Sequence, residues 1–184
     1  PLLQSSAASD VYKRQYSDQV KSLSFIAPAG FGKVQTSIPF FMKIPGVIEW
    51  AMHVLADRFY GSAISSETAH SNDPLSINEE EFQQLFSFQV QFKGFRESLA
   101  STMRNFNLFD AREMFEKVAA KNIPSIAIWG DNDGIVSYKG AETYFEIFQE
   151  GKVITIEDGT HDITYRQPSD VLEAIKIFLA SQIS

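Results

Sequence analysis

Ile126-Ala127-Ile128-Trp129-Gly130-Asp131-Asn132-Asp133-Gly134-Ile135-Val136 is the stretch on which the fold of this chain turns. Ser125 to Trp129 is a short apolar run launched by Ile123-Pro124, and such a run suits a parallel strand covered on both faces. It ends in a glycine and a tight acidic loop. Ligands and catalytic groups of open α/β sheets sit just beyond the carboxyl ends of the strands, and two aspartates are placed there. A second stretch repeats the design: Ile154-Thr155-Ile156-Glu157-Asp158-Gly159-Thr160-His161-Asp162. Here a strand over Lys152 to Ile156 ends, a glycine turns the chain, and a histidine follows. Between the two strands Tyr138 to Gln149 carries Tyr144, Phe145 and Phe148 at helical spacing. Strand, helix and strand make a βαβ unit with a right-handed crossover, so both loops are expected at one edge of the sheet.

Working outward, Pro168 opens a last helix with Val171, Leu172, Ile175, Phe178 and Leu179 as its apolar stripe. Upstream, Leu23 to Ala27 reads as another buried strand. The stretch from Phe31 to Lys121 is far too long for a plain crossover. Its periodicity predicts helices over Val47–Tyr60, Ile77–Phe86, Phe92–Phe106 and Ala111–Ala120, with a polar loop from Ser62 to Pro74. An insertion of this size commonly forms a lid over a substrate pocket. Phe40 to Ala56 is apolar, but Lys43, Pro45, Gly46, Glu49 and His53 interrupt it, so a membrane span is rejected. The expected organisation is a core strand and exit loop over 16–32, a helical lid and return helix over 33–121, and a C-terminal core over 122–184. The fold class is α/β, with three parallel strands, flanking helices and a helical insertion.

Composition narrows the chemistry. The chain has 184 residues, a net charge of −7 and no cysteine. The charge argues against a nucleic-acid partner. The missing thiols exclude disulfides, thiolate catalysis and cysteine-ligated zinc. Sixteen phenylalanines imply a large apolar core or an apolar pocket. Pro1 to Gln15 lacks periodicity and ends in Asp10-Val11-Tyr12-Lys13-Arg14-Gln15, which resembles the translation of a transposon-end sequencing adapter. Such a scar has no part in a natural fold, and the natural sequence is expected to start near Tyr16. A cytoplasmic location is the expectation, and the absence of a signal peptide does not bear on it, because the natural N-terminus is taken to be missing.

An imidazole and a carboxylate delivered to one sheet edge have a clear chemical use. The carboxylate accepts one ring N–H, fixes the tautomer and stabilises the imidazolium, while the other nitrogen serves as general base and then general acid. Taken singly, Asp131 and Asp133 are ordinary turn formers beside Gly134, and His161 is an ordinary loop histidine. His53 and His70 read as structural. A calcium loop fails, because Ile135 and Val136 stand where an oxygen ligand and a glycine are needed. A phosphate loop fails, because Ala27 and Val34 replace its first glycine and its hydroxyl residue. No pattern suggests a metal or cofactor.

In order and spacing, the two segments resemble the last two strands and loops of the α/β-hydrolase family. Gly130-Asp131-Asn132-Asp133 matches that family's acid loop, and Gly159-Thr160-His161 its histidine loop. Arg166-Gln167-Pro168 resembles the approach to its last helix, and Val20 to Gly32 its sixth strand and exit. The resemblance implies Asp133 as triad acid and His161 as base. Pro28, Ala29, Gly30, Phe31, Val136 and Ile163 are the expected substrate-lining positions. The family's nucleophile sits in a G-x-S-x-G elbow, and neither that nor a G-x-D-x-G variant occurs in this sequence. The expectation is therefore a C-terminal fragment, inactive as written, with an unpaired first-strand edge. Its parent would be a serine hydrolase acting on carboxylic esters of a small, apolar substrate. Dehalogenases, epoxide hydrolases, carbon–carbon hydrolases and non-catalytic ligand binders share the scaffold and stay open.

Overall fold

The computed structural model describes residues 20–32, 44, 46, 47, 50, 72–105 and 110–182. The adapter-like tail, most of the helix expected over Val47–Tyr60, the loop up to residue 71, and His53 and His70 lie outside the described residues. The elements in chain order are β1 (Leu23–Ile26), α1 (Glu79–Val90), α2 (Phe95–Asn105), α3 (Arg112–Ala119), β2 (Ser125–Gly130), α4 (Gly140–Ile147), β3 (Lys152–Ile156), α5 (Ile163–Arg166) and α6 (Pro168–Ala180).

The strands form one parallel sheet in the order β1-β2-β3. All six residues of β2 are buried, which explains its unbroken apolar run. The pleat sends alternate residues to opposite cores. Ala127 and Trp129 join Leu23, Phe25, Phe31, Phe115, Tyr144 and Phe148 on the face covered by α3 and α4. Ile126 and Ile128 join Ile156, Ile163, Val171, Ala174 and Phe178 on the face covered by α6. In register, the small Ala127 lies between Phe25 and Val153, so the large rings stack over the middle of the sheet. β3 departs from expectation. It was predicted to be covered on both faces, yet only Ile156 is buried, because β3 is an edge strand among the described residues.

Several of the phenylalanines are spent on the first core. Phe31 and Phe115 stack with centroids 4.0 Å apart and rings 7° from parallel. Phe25 meets both edge-on, at 5.9 and 5.8 Å. Such pairs contribute about 0.5–1.5 kcal/mol beyond area burial. One polar pair lies within this core: Ser125 Oγ and Tyr144 Oη are 2.7 Å apart. Burial pushes the phenol up to about 12, against the opposing pull of the Ser125 bond.

Boundaries shift where capping outweighs periodicity. α1 begins after Asn78, whose side chain accepts from the Glu81 amide while Glu81 accepts from the Asn78 amide. It then runs beyond Phe86 to Val90. In α6 the buried residues are Val171, Ala174 and Phe178; Leu172 and Leu179, expected in the stripe, are 44 % and 43 % exposed. The seam against Ile126 and Ile156 is narrow and takes an alanine at its centre.

Candidate active site

The acid loop is fixed before histidine is considered. Asp133 Oδ1 accepts from the backbone amides of Ile135 at 2.9 Å and Val136 at 2.7 Å. The buried indole of Trp129 donates to the Val136 carbonyl at 3.3 Å. An aspartate that accepts amides two and three residues ahead closes a short turn on itself, the local preference that favours Asp there. The side chain of Asp133 is fully buried, with its second oxygen still to be satisfied.

The histidine loop supplies the partner. Asp131 N donates to the Ile156 carbonyl at 3.2 Å, and Asn132 N to the Gly159 carbonyl at 2.9 Å, so the two turns are cross-linked through their backbones. Both glycines are required by this contact. A Cβ on Gly159 would lie 2.8 Å from Gly130 Cα and 2.9 Å from the Ile156 carbonyl oxygen, and one on Gly130 would fall on the Gly159 carbonyl. Asp158 adopts φ 54°, a left-handed conformation that Asp tolerates better than most residues.

The result is a short polar contact: His161 Nδ1 lies 3.0 Å from Asp133 Oδ2. A carboxylate only accepts, so Nδ1 carries the hydrogen and donates it. The histidine side chain is 35 % exposed and the aspartate is at 0 %. An occluded carboxylate thus holds an imidazole that reaches toward solvent. Asp131, two residues away, is exposed.

The other expected site residues divide. Phe31, at 1 % exposure, belongs to the aromatic core, and Ile163, at 0 %, to the second core. Both were expected to line a pocket; their surface is spent on packing instead. Gly30 is buried with φ 96°, and its carbonyl accepts from Ala111 N. Pro28, Ala29 and Val136 are partly exposed. A cavity of about 840 Å³ runs along the outer flank of β3 and α6, with Lys152, Ile154, Thr160, Arg166, Asp170 and Ile177 among its walls. Neither Asp133 nor His161 lines it.

Strand order, helices on both faces and an acid–histidine contact beyond the carboxyl ends of β2 and β3 can be set against known structures. A bromoperoxidase from Bacillus anthracis superposes with a TM-score of 0.68 at 19 % identity, over 94 % of this chain and 63 % of that one. A thermophilic esterase from Thermogutta terrifontis gives 0.63 at 16 %, over 96 % and 61 %. A lipase-esterase related protein from Clostridium acetobutylicum gives 0.59 at 16 %, over 92 % and 60 %. This is the α/β-hydrolase fold. The chain spans about three fifths of the length of each of these proteins. No family model matches it, and no curated protein does. Among the described residues, no helix is long and apolar enough to cross a membrane.

Proposed function

We propose that this chain carries the acid and the general base of a serine hydrolase that cleaves carboxylic esters of small apolar substrates. The observation that carries the reading is the 3.0 Å contact between His161 Nδ1 and a fully buried Asp133. With Nδ1 committed to Asp133, Nε2 is the nitrogen that would meet a nucleophile. His161 would take the proton of a serine hydroxyl as its oxygen attacks the ester carbonyl, and then return it to the departing alcohol. A water would repeat the sequence on the acyl-enzyme and release the acid. Asp133 would hold the ring in the productive tautomer and stabilise the imidazolium.

The nucleophile would come from an elbow preceding β1, the place the family resemblance gives it. Residues 33–121 would form the lid and return helix, with Pro28, Ala29 and Val136 facing the substrate. Esterases and a lipase-esterase related protein among the structures of the same fold support the ester reading.

The test is a protein that joins this chain to its upstream coding sequence, assayed on short acyl esters. His161→Ala is expected to lower kcat by at least about 10²–10⁴-fold, the usual worth of a positioned base. Asp133→Asn should lower it by about 10⁴-fold through the wrong tautomer. Turnover unchanged in His161→Ala would remove the base from the mechanism.

A further inference from the structure

The turn that carries His161 has little regular structure to hold it. It spans the gap between β3 and the four-residue α5. The residues on either side of the histidine are nevertheless pinned. Thr160 Oγ1 donates to Asp162 Oδ1, and Arg166 Nε donates to Asp162 Oδ2 at 2.9 Å. Asp162 is the N-cap residue of α5 yet makes no side-chain cap bond, since its carboxylate is occupied by these two donors. The far end of the same guanidinium reaches the chain that enters α1. Arg166 Nη1 donates to the Ile77 carbonyl at 3.4 Å, and Nη2 lies 3.8 Å from Glu79 Oε2. Ile77 answers with its own amide, which donates to the Tyr165 carbonyl at 3.1 Å. The rings of Phe82 and Tyr165 close the junction edge to face at 5.1 Å.

We propose that Arg166 is a positioning residue that fixes the His161 turn by tying it to the chain entering the helical insertion. The inference rests on the reading of His161 as the base. Arg166 is buried, and a buried guanidinium is costly unless each arm of its fork is satisfied. The planar fork also gives direction that an ammonium lacks, so the His161 turn and the chain entering α1 are held in one register. The backbone of 160–162 sets where the imidazole points, and Arg166 sets that backbone through Asp162. A displacement of Ile77 or Glu79 would therefore be felt at the histidine ring.

The experiment uses the protein that joins this chain to its upstream coding sequence, labelled with ¹⁵N-histidine and observed by NMR at low temperature. The Nδ1–H signal of His161 is assigned by its loss in His161→Gln, and its exchange with water is timed. In Arg166→Met, exchange of that proton is expected to be about tenfold faster, the scale of losing hydrogen bonds to a charged group. The Ile77 amide should exchange faster in the same variant. Arg166→Lys, which keeps the charge but not the fork, should recover part of the protection. Circular dichroism reports whether the fold is retained. If Arg166→Met does not fold, Asp162→Ala carries the same measurement, because it removes the acceptor through which Arg166 acts. Unchanged exchange at His161 in a folded Arg166→Met or Asp162→Ala variant would overturn the proposal. Asp133→Asn separates the two ideas. A slow Nδ1–H that survives that change would sink the acid–base pairing itself, whatever Arg166 does.

Discussion

Helices α1 and α6 are of nearly equal length, 12 and 13 residues, and are held by opposite means. α6 buries Val171, Ala174 and Phe178 against the sheet, while its own N-cap residue, Gln167, makes no side-chain cap bond. Its first turn is capped from afar by Asp73, which accepts from Ser169 N and Ser169 Oγ at 2.8 Å each. α1 buries no residue at all, but has a complete capping box at Asn78 and three glutamates in its first turn. Acidic residues there oppose the positive end of the helix dipole. One helix is stabilised by what it covers, the other by how it begins. The contrast suits the two places: α6 backs the strands that deliver the acid and the histidine, whereas α1 belongs to the insertion proposed as a lid.

The contrast can be broken most forcefully in the packed helix. Phe178→Ala should cost about 3–5 kcal/mol, the range for truncating a buried aromatic. Leu85→Ala in α1, at a site 53 % exposed, should stay within about 0.5 kcal/mol. Urea midpoints of the two variants measure the difference, and equal losses would mean that α1 is covered to the same degree as α6. Asn78→Ala is the next step down. Loss of the cap should weaken α1 locally by about 1 kcal/mol, read as amide exchange roughly fivefold faster in α1 and unchanged in α6.

The smallest effect concerns the borrowed cap. Burial pushes the Asp73 carboxyl up, but bonds from the Leu75 amide and from the amide and hydroxyl of Ser169 outweigh it and hold the group below its usual value. Folding thus lowers this pKa. Its stabilisation is complete above the unfolded value of about 3.9 and is lost as pH falls through the lower folded value. Asp73→Asn keeps an acceptor for the helix but loses the ionised group, so stability at neutral pH should fall by a small amount. Its acid limb below about pH 4 should be flatter than that of the parent chain. Identical acid limbs would show that Asp73 does not titrate against folding.

The strands were legible because burial writes itself into composition: β2 and β3 fall where the apolar runs put them, and Pro168 starts α6. The acid–histidine contact was legible as two turns of one design, each with glycine ahead of the polar residue. Less visible features depend on partners remote in sequence. Phe31 looks like a pocket residue beside a glycine-rich exit, and only the stacking of Phe115 upon it reveals a core position. Apolar periodicity overstates the α6 stripe, because a close seam selects Ala174 rather than a larger side chain. The cap of α1 was readable, since Asn78 precedes Glu81 at capping-box spacing, and apolar periodicity hid it. Arg166 carries only part of its signal locally: Asp162 lies one turn away, but Ile77 is 89 positions distant.

The contact between Gly130 and Gly159 has a consequence for anyone wishing to alter this scaffold. Backbone meets backbone there, so no side chain can be introduced on either strand exit without prising the two turns apart. These positions tolerate no library, and the turns they join cannot be retuned one at a time. Diversification has to begin elsewhere, at the exposed Ile135 beside the acid and on the outward face of α1 at Leu85, which is 53 % exposed.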